Sequence, residues 1–396
     1  MSAGRDPLRF ELAAPARVVF GAGALAEVPA IARALGARPL LVTGRSAERA
    51  ATLAASLAGA GAAVTTFAVA SEPTVELARA GVAAARAAGC DLVIAFGGGS
   101  ALDAGKAIAA LLGNDGDPLD YLEVIGRGQP LGRAGAPFVA VPTTAGTGSE
   151  VTKNAVLASP EHGVKASLRS PLMLARAAIV DPDLLAALPV ATIASSGMDA
   201  LSQLIEPFLS SRANPATDAL AREGIPRSAR SLRRACAQGL DHGDGAGALR
   251  EDLALASLFG GLCLANAGLG AVHGFAAPAG GMSPVPHGAA CAALLPHAMR
   301  VNLRALRTRA PEHPALARFR EVAALLTGDA GATDDDGVVW LADLAAALSI
   351  PGLGRYGIGP ATVPALVGKA KIASSMKANP IALTDEELTE IAMAAL

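Results

Sequence analysis

The sequence has no excess of charge of either sign: 33 lysines and arginines stand against 35 aspartates and glutamates, a formal net charge of −2. That balance leaves no basic footprint for nucleic acid and no acidic tail, so a small molecule is the expected partner. Cysteine is scarce. Cys90, Cys236, Cys263 and Cys291 show no C-x-x-C spacing and lie in apolar stretches, which reads as four small hydrophobes in a reducing compartment. The first thirty residues carry Asp6, Arg9, Glu11 and Arg17 without a long apolar run. A secretory signal is therefore not expected, and the cytoplasm is the default location.

A more local absence runs from Leu253 to Met299, where there is no Asp, Glu, Lys or Arg. Its first part, LALASLFGGLCLANAGLGAV, reaches the length of about 20 residues that a bilayer span needs. Glycine and alanine dominate it, Asn266 interrupts it and no cluster of Lys and Arg flanks it, so a closely packed buried helix is expected and a membrane is not.

What is present is an alternation. The short apolar runs Pro39–Gly44, Ala63–Val69, Asp91–Gly97, Pro137–Thr144 and Ala177–Pro182 read as strands, with alanine-rich helices such as Ala47–Ala58 and Val75–Ala88 between the first three. This β-α-β pattern specifies a mainly parallel, Rossmann-like sheet covered by helices. Beyond Asp181-Pro182 the period changes. ATIASSGMDALSQLIEPFL, ATDALAREGIPRSARSLRRACAQ, LREDLALASLFGGLCLANA and GAACAALLPHAMRVNL all read as helices. At about 100–200 residues per domain, 396 residues make two domains. The expected division is an α/β nucleotide-binding domain over 1–183 and an all-helical domain over 184–396.

Two glycine-rich turns each leave an expected strand. In DLVIAFGGGSALDAGKAIA the run Gly97-Gly98-Gly99-Ser100 enters a helix with Asp103 one turn in. At the carboxyl end of a parallel strand, such a turn brings free backbone N–H groups against a phosphate. The second turn, AVPTTAGTGSEVT, adds hydroxyls. Neither turn is a Walker A sequence, since Ser100 follows Gly99 and Ser149 follows Gly148 where a Lys would be needed, so nucleotide hydrolysis is not indicated, and a redox dinucleotide fits better.

In the second half, Asp199 and Gln203 lie four apart on an expected helix and share one face. His273 and His287 stand fourteen apart inside the charge-free stretch. One carboxylate, one amide oxygen and two imidazoles suit a divalent cation. Singly, each has a plainer role, as a helix-start charge, a solvated amide or a hydrogen-bonded core histidine. Two histidines in one apolar stretch favour ligation, because unpaired polar groups there are costly.

GGGSALDAGKAIA, PTTAGTGSEVT, SLRSPLMLARAAIVDPDL, GMDALSQLIEPFLS and GLGAVHGFAAPAGGMSPVPHGAACAALLPHAMRVN resemble, colinearly from about residue 15 to the end, the iron-containing (group III) alcohol dehydrogenase family. The resemblance implies a dehydroquinate-synthase-like fold with the active site in the cleft between an α/β and an all-helical domain. It implies that Gly98, Gly99, Ser100 and Asp103 hold the pyrophosphate side of a nicotinamide cofactor and that Thr143, Thr144, Thr152 and Lys165 line the rest. It places Asp199, Gln203, His273 and His287 on four metal-ligand positions, for Fe²⁺ or Zn²⁺.

Two positions depart from the family pattern. Gln203 stands where a D-x-x-x-H helix has its histidine, and Ala277 where an H-x-x-x-H helix has its second. Amide oxygen is the poorer donor, so metal affinity is expected to fall. The implied chemistry is hydride transfer between an alcohol or carbonyl carbon and nicotinamide, with a metal polarising the oxygen, or His273, His287 and Lys165 doing so without one. After the first of these strands many NAD-using relatives carry Asp where this chain has Gly44, followed by Arg45 and Ser46. An uncharged residue and an arginine favour NADP over NAD. A metal-independent, maleylacetate-reductase-like oxo-acid reductase is the second expectation, and a dehydroquinate-synthase-like lyase a distant third. A homodimer is the expected assembly.

Overall fold

The structure, a computed structural model, describes residues 9–45 and 48–396. Ser46 of the expected coenzyme-selecting turn and Ala47, the expected start of a helix, lie outside the described residues. The first half contains the strands β1 (Val18–Phe20), β2 (Pro39–Thr43), β3 (Thr65–Ala68), β4 (Leu92–Gly97), β5 (Phe138–Pro142), β6 (Asn154–Ser159), β7 (Val164–Arg169) and β8 (Ala177–Val180). Six of them form a parallel sheet in the order β1-β8-β5-β4-β2-β3. The helices α1 (Val28–Leu35), α2 (Glu48–Gly59), α3 (Val75–Ala87), α4 (Gly99–Gly113) and the one-turn α5 (Pro118–Tyr121) connect them.

All five expected strands are present, and the reason is burial. β2, β4, β5 and β8 are buried along their whole length, so each reads as a continuous apolar run instead of an alternation. Three strands were not expected. β1 has three residues, too few for a pattern, and is held by its register Val18↔Ala178 to Phe20↔Val180. β6 and β7 form an antiparallel hairpin with Leu157 opposite Ala166; β7 alternates in six residues, but in β6 apolar Val156 and Ala158 lie on the less buried face and Ser159 on the buried one, which masks the period.

The sheet order sets the site. From β2 the chain steps outward to β3 and returns to the other side of β2 as β4, so the direction of winding reverses between the carboxyl ends of β2 and β4. Ligands of open α/β sheets bind in the crevice at such a reversal. Gly44 and Gly97 face each other there: the Gly44 N–H donates to the Phe96 carbonyl at 3.3 Å.

After β8 the described chain is helical: α6 (Val190–Leu209), α7 (Pro215–Gln238), α8 (Ala246–Ala267), α9 (Ala271–Met282), α10 (His287–Arg309), α11 (Ala315–Thr327), α12 (Asp334–Ala347), α13 (Val363–Ile372) and α14 (Asp385–Ala394). α7 begins with a capping box, Asn214 with Thr217, and Pro215 at its first turn. Thr333 with Asp336 and Thr384 with Glu387 repeat the device at α12 and α14. α6 is buried from Gly197 to Leu209 and lies at the centre of the helical core. The charge-free stretch is split between α8, α9 and α10, with α8 and α9 bent 98° apart; no single helix among the described residues is long and apolar enough to cross a membrane.

The two halves meet without side chains at one point. Gly148, in the turn after β5, has φ +59°, and a Cβ there would lie 2.3 Å from the Gly261 Cα on α8. The reverse holds as well, since a Cβ on Gly261 would lie 2.6 Å from the Gly148 carbonyl oxygen. Backbone therefore rests on backbone, a contact that only glycine permits. Gly261→Ala is expected to cost about 1–3 kcal/mol through overpacking, read as a lower urea midpoint with an unchanged m-value.

Candidate metal and dinucleotide site

α6 presents Asp199, Gln203 and Glu206 along one buried face, at spacings of four and three residues. α9 brings His273 in its first turn, and α10 begins at His287 after Pro286, with Cys291 one turn later. The donor atoms of Asp199, His273, His287 and Cys291 all lie within 4.8 Å of one another. Asp199 Oδ1 is 3.2 Å from His273 Nε2 and 3.7 Å from His287 Nε2, and Cys291 Sγ is 3.7 Å from both imidazole Nε2 atoms. Asp199 is 1% and Gln203 2% exposed, yet Asp199 Oδ2 and Gln203 Oε1 have no hydrogen-bond partner. The His287 side chain, at 39% exposure, is the open side of the cluster.

Glu206 decides the protonation of His273. Its carboxylate Oε1 accepts from the Val272 N–H at 2.7 Å and Oε2 from His273 Nδ1–H at 2.6 Å. A carboxylate only accepts, so Nδ1 carries a proton, and Nε2 faces Asp199, which also only accepts. Two acceptors at 3.2 Å require a positive charge between or on them. Burial opposes charging of His273, but Cys291, Asp199 and Glu206 outweigh it and raise the pKa well above the ordinary histidine value. Cys291 and Asp199 likewise raise His287 to about 9 against burial. Burial works against the Asp199 carboxylate, and the two histidines overcome it to hold its pKa below the usual range. In tetrahedral sites with nitrogen and oxygen at about 2.0–2.2 Å and sulfur at about 2.3 Å, neighbouring donors lie roughly 3.3–3.6 Å apart. The four separations of 3.2–3.7 Å are close to these and suit a small divalent cation.

Glu206 and Cys291 were missed in the sequence. Glu206 continues the spacing of Asp199 and Gln203, and Cys291 follows His287 by four, so helical position marks both. Cys263, whose thiol donates to the Thr217 carbonyl at 3.3 Å, is a buried hydrophobe as expected. Cys291 is not, because it sits among imidazoles. Gln203 is buried and not on a solvated face. Ala277, one turn beyond His273, is exposed.

The dinucleotide side is built on α4. Gly98 is its N-cap and no side chain caps it, so the first N–H groups remain available to an anion. A Cβ on Gly98 would lie 3.2 Å from Thr144 Cγ2, and one on Gly99 2.8 Å from Thr147 Cγ2; the glycines let the two loops touch. Gly98, Gly99, Ser100 and Thr144 are half-buried, whereas Thr143 is buried and donates its N–H to the Gly97 carbonyl at 2.9 Å. Asp103 and Thr152 are engaged behind the loops. The Asp103 carboxylate accepts from Ser149 Oγ–H at 2.5 Å and the Val156 N–H at 3.0 Å, and Thr152 Oγ1 accepts from Lys106 Nζ at 2.9 Å.

Lys106, also missed, is 1% exposed and donates in addition to the Ser149 and Asn154 carbonyls, each at 2.7 Å. Burial lowers its pKa to about 8 and raises that of neighbouring Glu150 to about 7. Lys165 is ion-paired with Glu72 at 2.7 Å, and its Nζ lies against Gly280 of α9. At the reversal of the sheet a Cβ on Gly44 would meet nothing within 4 Å, and the exposed Arg45 donates from Nε to the Ala70 carbonyl at 3.1 Å.

Residues 15–182 match the profile described as "Iron-containing alcohol dehydrogenase" and residues 193–396 that of the "Fe-containing alcohol dehydrogenase family, C-terminal". The chain is 43% identical over 225 residues to the 1,3-propanediol dehydrogenase of Klebsiella pneumoniae, a match spanning 57% of this chain and 56% of that relative. A crystal structure of a 1,3-propanediol oxidoreductase superposes with a TM-score of 0.88 at 33% identity, covering 98% of this chain and 100% of the other. That of a sulfoacetaldehyde reductase from Bifidobacterium kashiwanohense in complex with NAD⁺ superposes with a TM-score of 0.85 at 28% identity, covering 97% and 98%.

Glu206 is the support on which His273 turns. Glu206→Gln replaces one acceptor oxygen by an N–H₂ facing a buried N–H, so it is expected to cost about 1–3 kcal/mol. Urea unfolding of metal-free protein checks this.

Proposed function

The chain belongs to the iron-containing alcohol dehydrogenase family, and from that premise we propose that it transfers hydride between a small alcohol or carbonyl compound and a nicotinamide dinucleotide, assisted by a divalent metal. The observation that carries the reading is the convergence of Asp199, His273 and His287, with the second Asp199 oxygen buried and unpartnered and Gln203, one turn along the same face of α6, likewise buried and unpartnered. We assign Asp199, Gln203, His273 and His287 to hold Fe²⁺ or Zn²⁺, which when bound supplies Lewis acidity to the substrate oxygen. Everything else is done by the chain. Glu206 holds the His273 ring in one orientation. His287 faces the open side, where the substrate oxygen enters. Exposed Ala277 offers no group to receive the alcohol proton, which leaves through water.

The division into 1–183 and 184–396 assigns the cofactor to the first half and the metal to the second. Gly98, Gly99 and Ser100 present the N-terminus of α4 to the pyrophosphate, with Thr143 and Thr144 beside them. Asp103 and Thr152 hold the second loop in place from behind. Lys165, already paired with Glu72, belongs to the wall of the site, and its charge adds to that of the histidines around the reacting oxygen. Open space at Gly44 followed by Arg45 supports NADP over NAD. Four free cysteines support a reducing, cytoplasmic setting, and Val18 exposed on the edge strand β1, with exposed Phe10 and Leu12 in the segment before it, supports a homodimer.

Metal analysis of protein purified without chelator, with a coenzyme-coupled screen of alcohols and aldehydes, tests the reading. Exhaustive chelation is expected to abolish turnover, and His287→Ala to lose metal and lower kcat by orders of magnitude while the far-ultraviolet circular dichroism is unchanged. Full activity with no metal detected would favour the metal-independent oxo-acid reductase. For the coenzyme, Gly44→Asp sets a carboxylate against the 2′-phosphate and is expected to move the ratio of kcat/KM at least about tenfold toward NADH. An unmoved ratio removes the NADP assignment.

A further inference from the structure

We propose that Cys291 is itself a metal ligand, so that the site is a carboxylate, two imidazoles and a thiolate, selective for zinc over iron. This rests on the metal-assisted reading above and adds a donor that the four positions Asp199, Gln203, His273 and His287 do not include.

The placement is helical. Cys291 follows His287 by one turn of α10, so both project from the same face toward α6 and α9. Its sulfur is completely buried, but its company is polar: both imidazole Nε2 atoms lie at 3.7 Å. A thiol has a single proton and can donate to one of them at most. With Nδ1 of His273 committed to Glu206, Nε2 is the ring nitrogen left for a cation, which on binding displaces any proton there to solvent. Sulfur, two ring nitrogens and a carboxylate oxygen thus gather within 4.8 Å of one another, and four of their six separations, 3.2–3.7 Å, are close to the edges of a tetrahedral site. Independently of the cysteine, Asp199 Oδ2 is buried without any partner.

The chemistry follows from the donor set. Gln203 can contribute only a neutral amide oxygen, and Cys291 supplies the fourth strong donor instead. On binding, the thiol passes its proton to solvent and the sulfur lone pair forms the bond. Soft thiolate with imidazole favours zinc.

Cobalt is the probe. Metal-free protein given one equivalent of Co²⁺ is expected to show an intense thiolate-to-cobalt charge-transfer band in the near ultraviolet. Cys291→Ser is expected to take up Co²⁺ without that band and to lose about tenfold or more in Zn²⁺ affinity against a chromophoric chelator, the scale at which even outer-shell partners act. Its Fe²⁺ affinity is expected to change less. If Cys291→Ser does not fold, the triple variant Cys90→Ala/Cys236→Ala/Cys263→Ala, which keeps Cys291 as its one thiol, has to retain the band. Stoichiometric Co²⁺ uptake without a band, or a band that persists in Cys291→Ser, overturns the thiolate and leaves the metal reading standing. Folded protein that takes up none of Co²⁺, Zn²⁺ or Fe²⁺ overturns both.

Discussion

Two carboxylates on one buried face of α6 constrain everything around them. Asp199 and Glu206 lie within the helical core, where an uncompensated charge costs several kcal/mol. Glu206 is answered completely, by the Val272 N–H and the His273 ring. Asp199 is answered only in part. One oxygen meets the two imidazoles and the other meets nothing, so the core is built around a place that calls for positive charge. The start of α9, the orientation of His273 and the first turn of α10 all follow from supplying it.

The first half answers a similar problem with a lysine. Lys106 is buried in α4 and ties the glycine turn after β4 to the loop after β5 through Ser149, Thr152 and Asn154. That leaves Gly98, Gly99 and Thr144 facing the cleft, while Asp103 and Thr152 look inward. Residues of one motif thus divide into half-buried glycines with uncapped N–H groups and side chains that hold the loop from behind. The Gly148–Gly261 backbone contact then sets how closely that loop lies against α8. One cleft is formed by two kinds of close approach, a buried ammonium in the first case and missing side chains in the second.

The fold was largely legible. Continuous apolar runs marked the buried strands β2, β4, β5 and β8, and the change to a helical period after Pro182 separated the sheet from the helices. β1 and the β6–β7 hairpin were not legible, because a three-residue strand carries no period and apolar Val156 and Ala158 on the less buried face of β6 blur the hairpin's alternation. Asp199, Gln203, His273 and His287 could be picked out because they are rare residue types in an apolar setting. Glu206 and Cys291 carry only a helical spacing, a weaker mark, since a glutamate on a helix and a cysteine among alanines are ordinary in sequence.

By itself the sequence determined the classes of element, the two glycine turns and the residue types available for a cation, because these depend on local period and composition. Tertiary structure decided which of them meet. Whether Cys291 is a small hydrophobe or a donor depends on its distance from His273, eighteen residues away and on another helix. Whether Asp103 faces a phosphate or supports a loop depends on Ser149 and Val156, which reach it from the far side of β5. Such roles are set by the packing of α6 against α9 and α10 and of α4 against the hairpin, and distance through space is not encoded in local pattern.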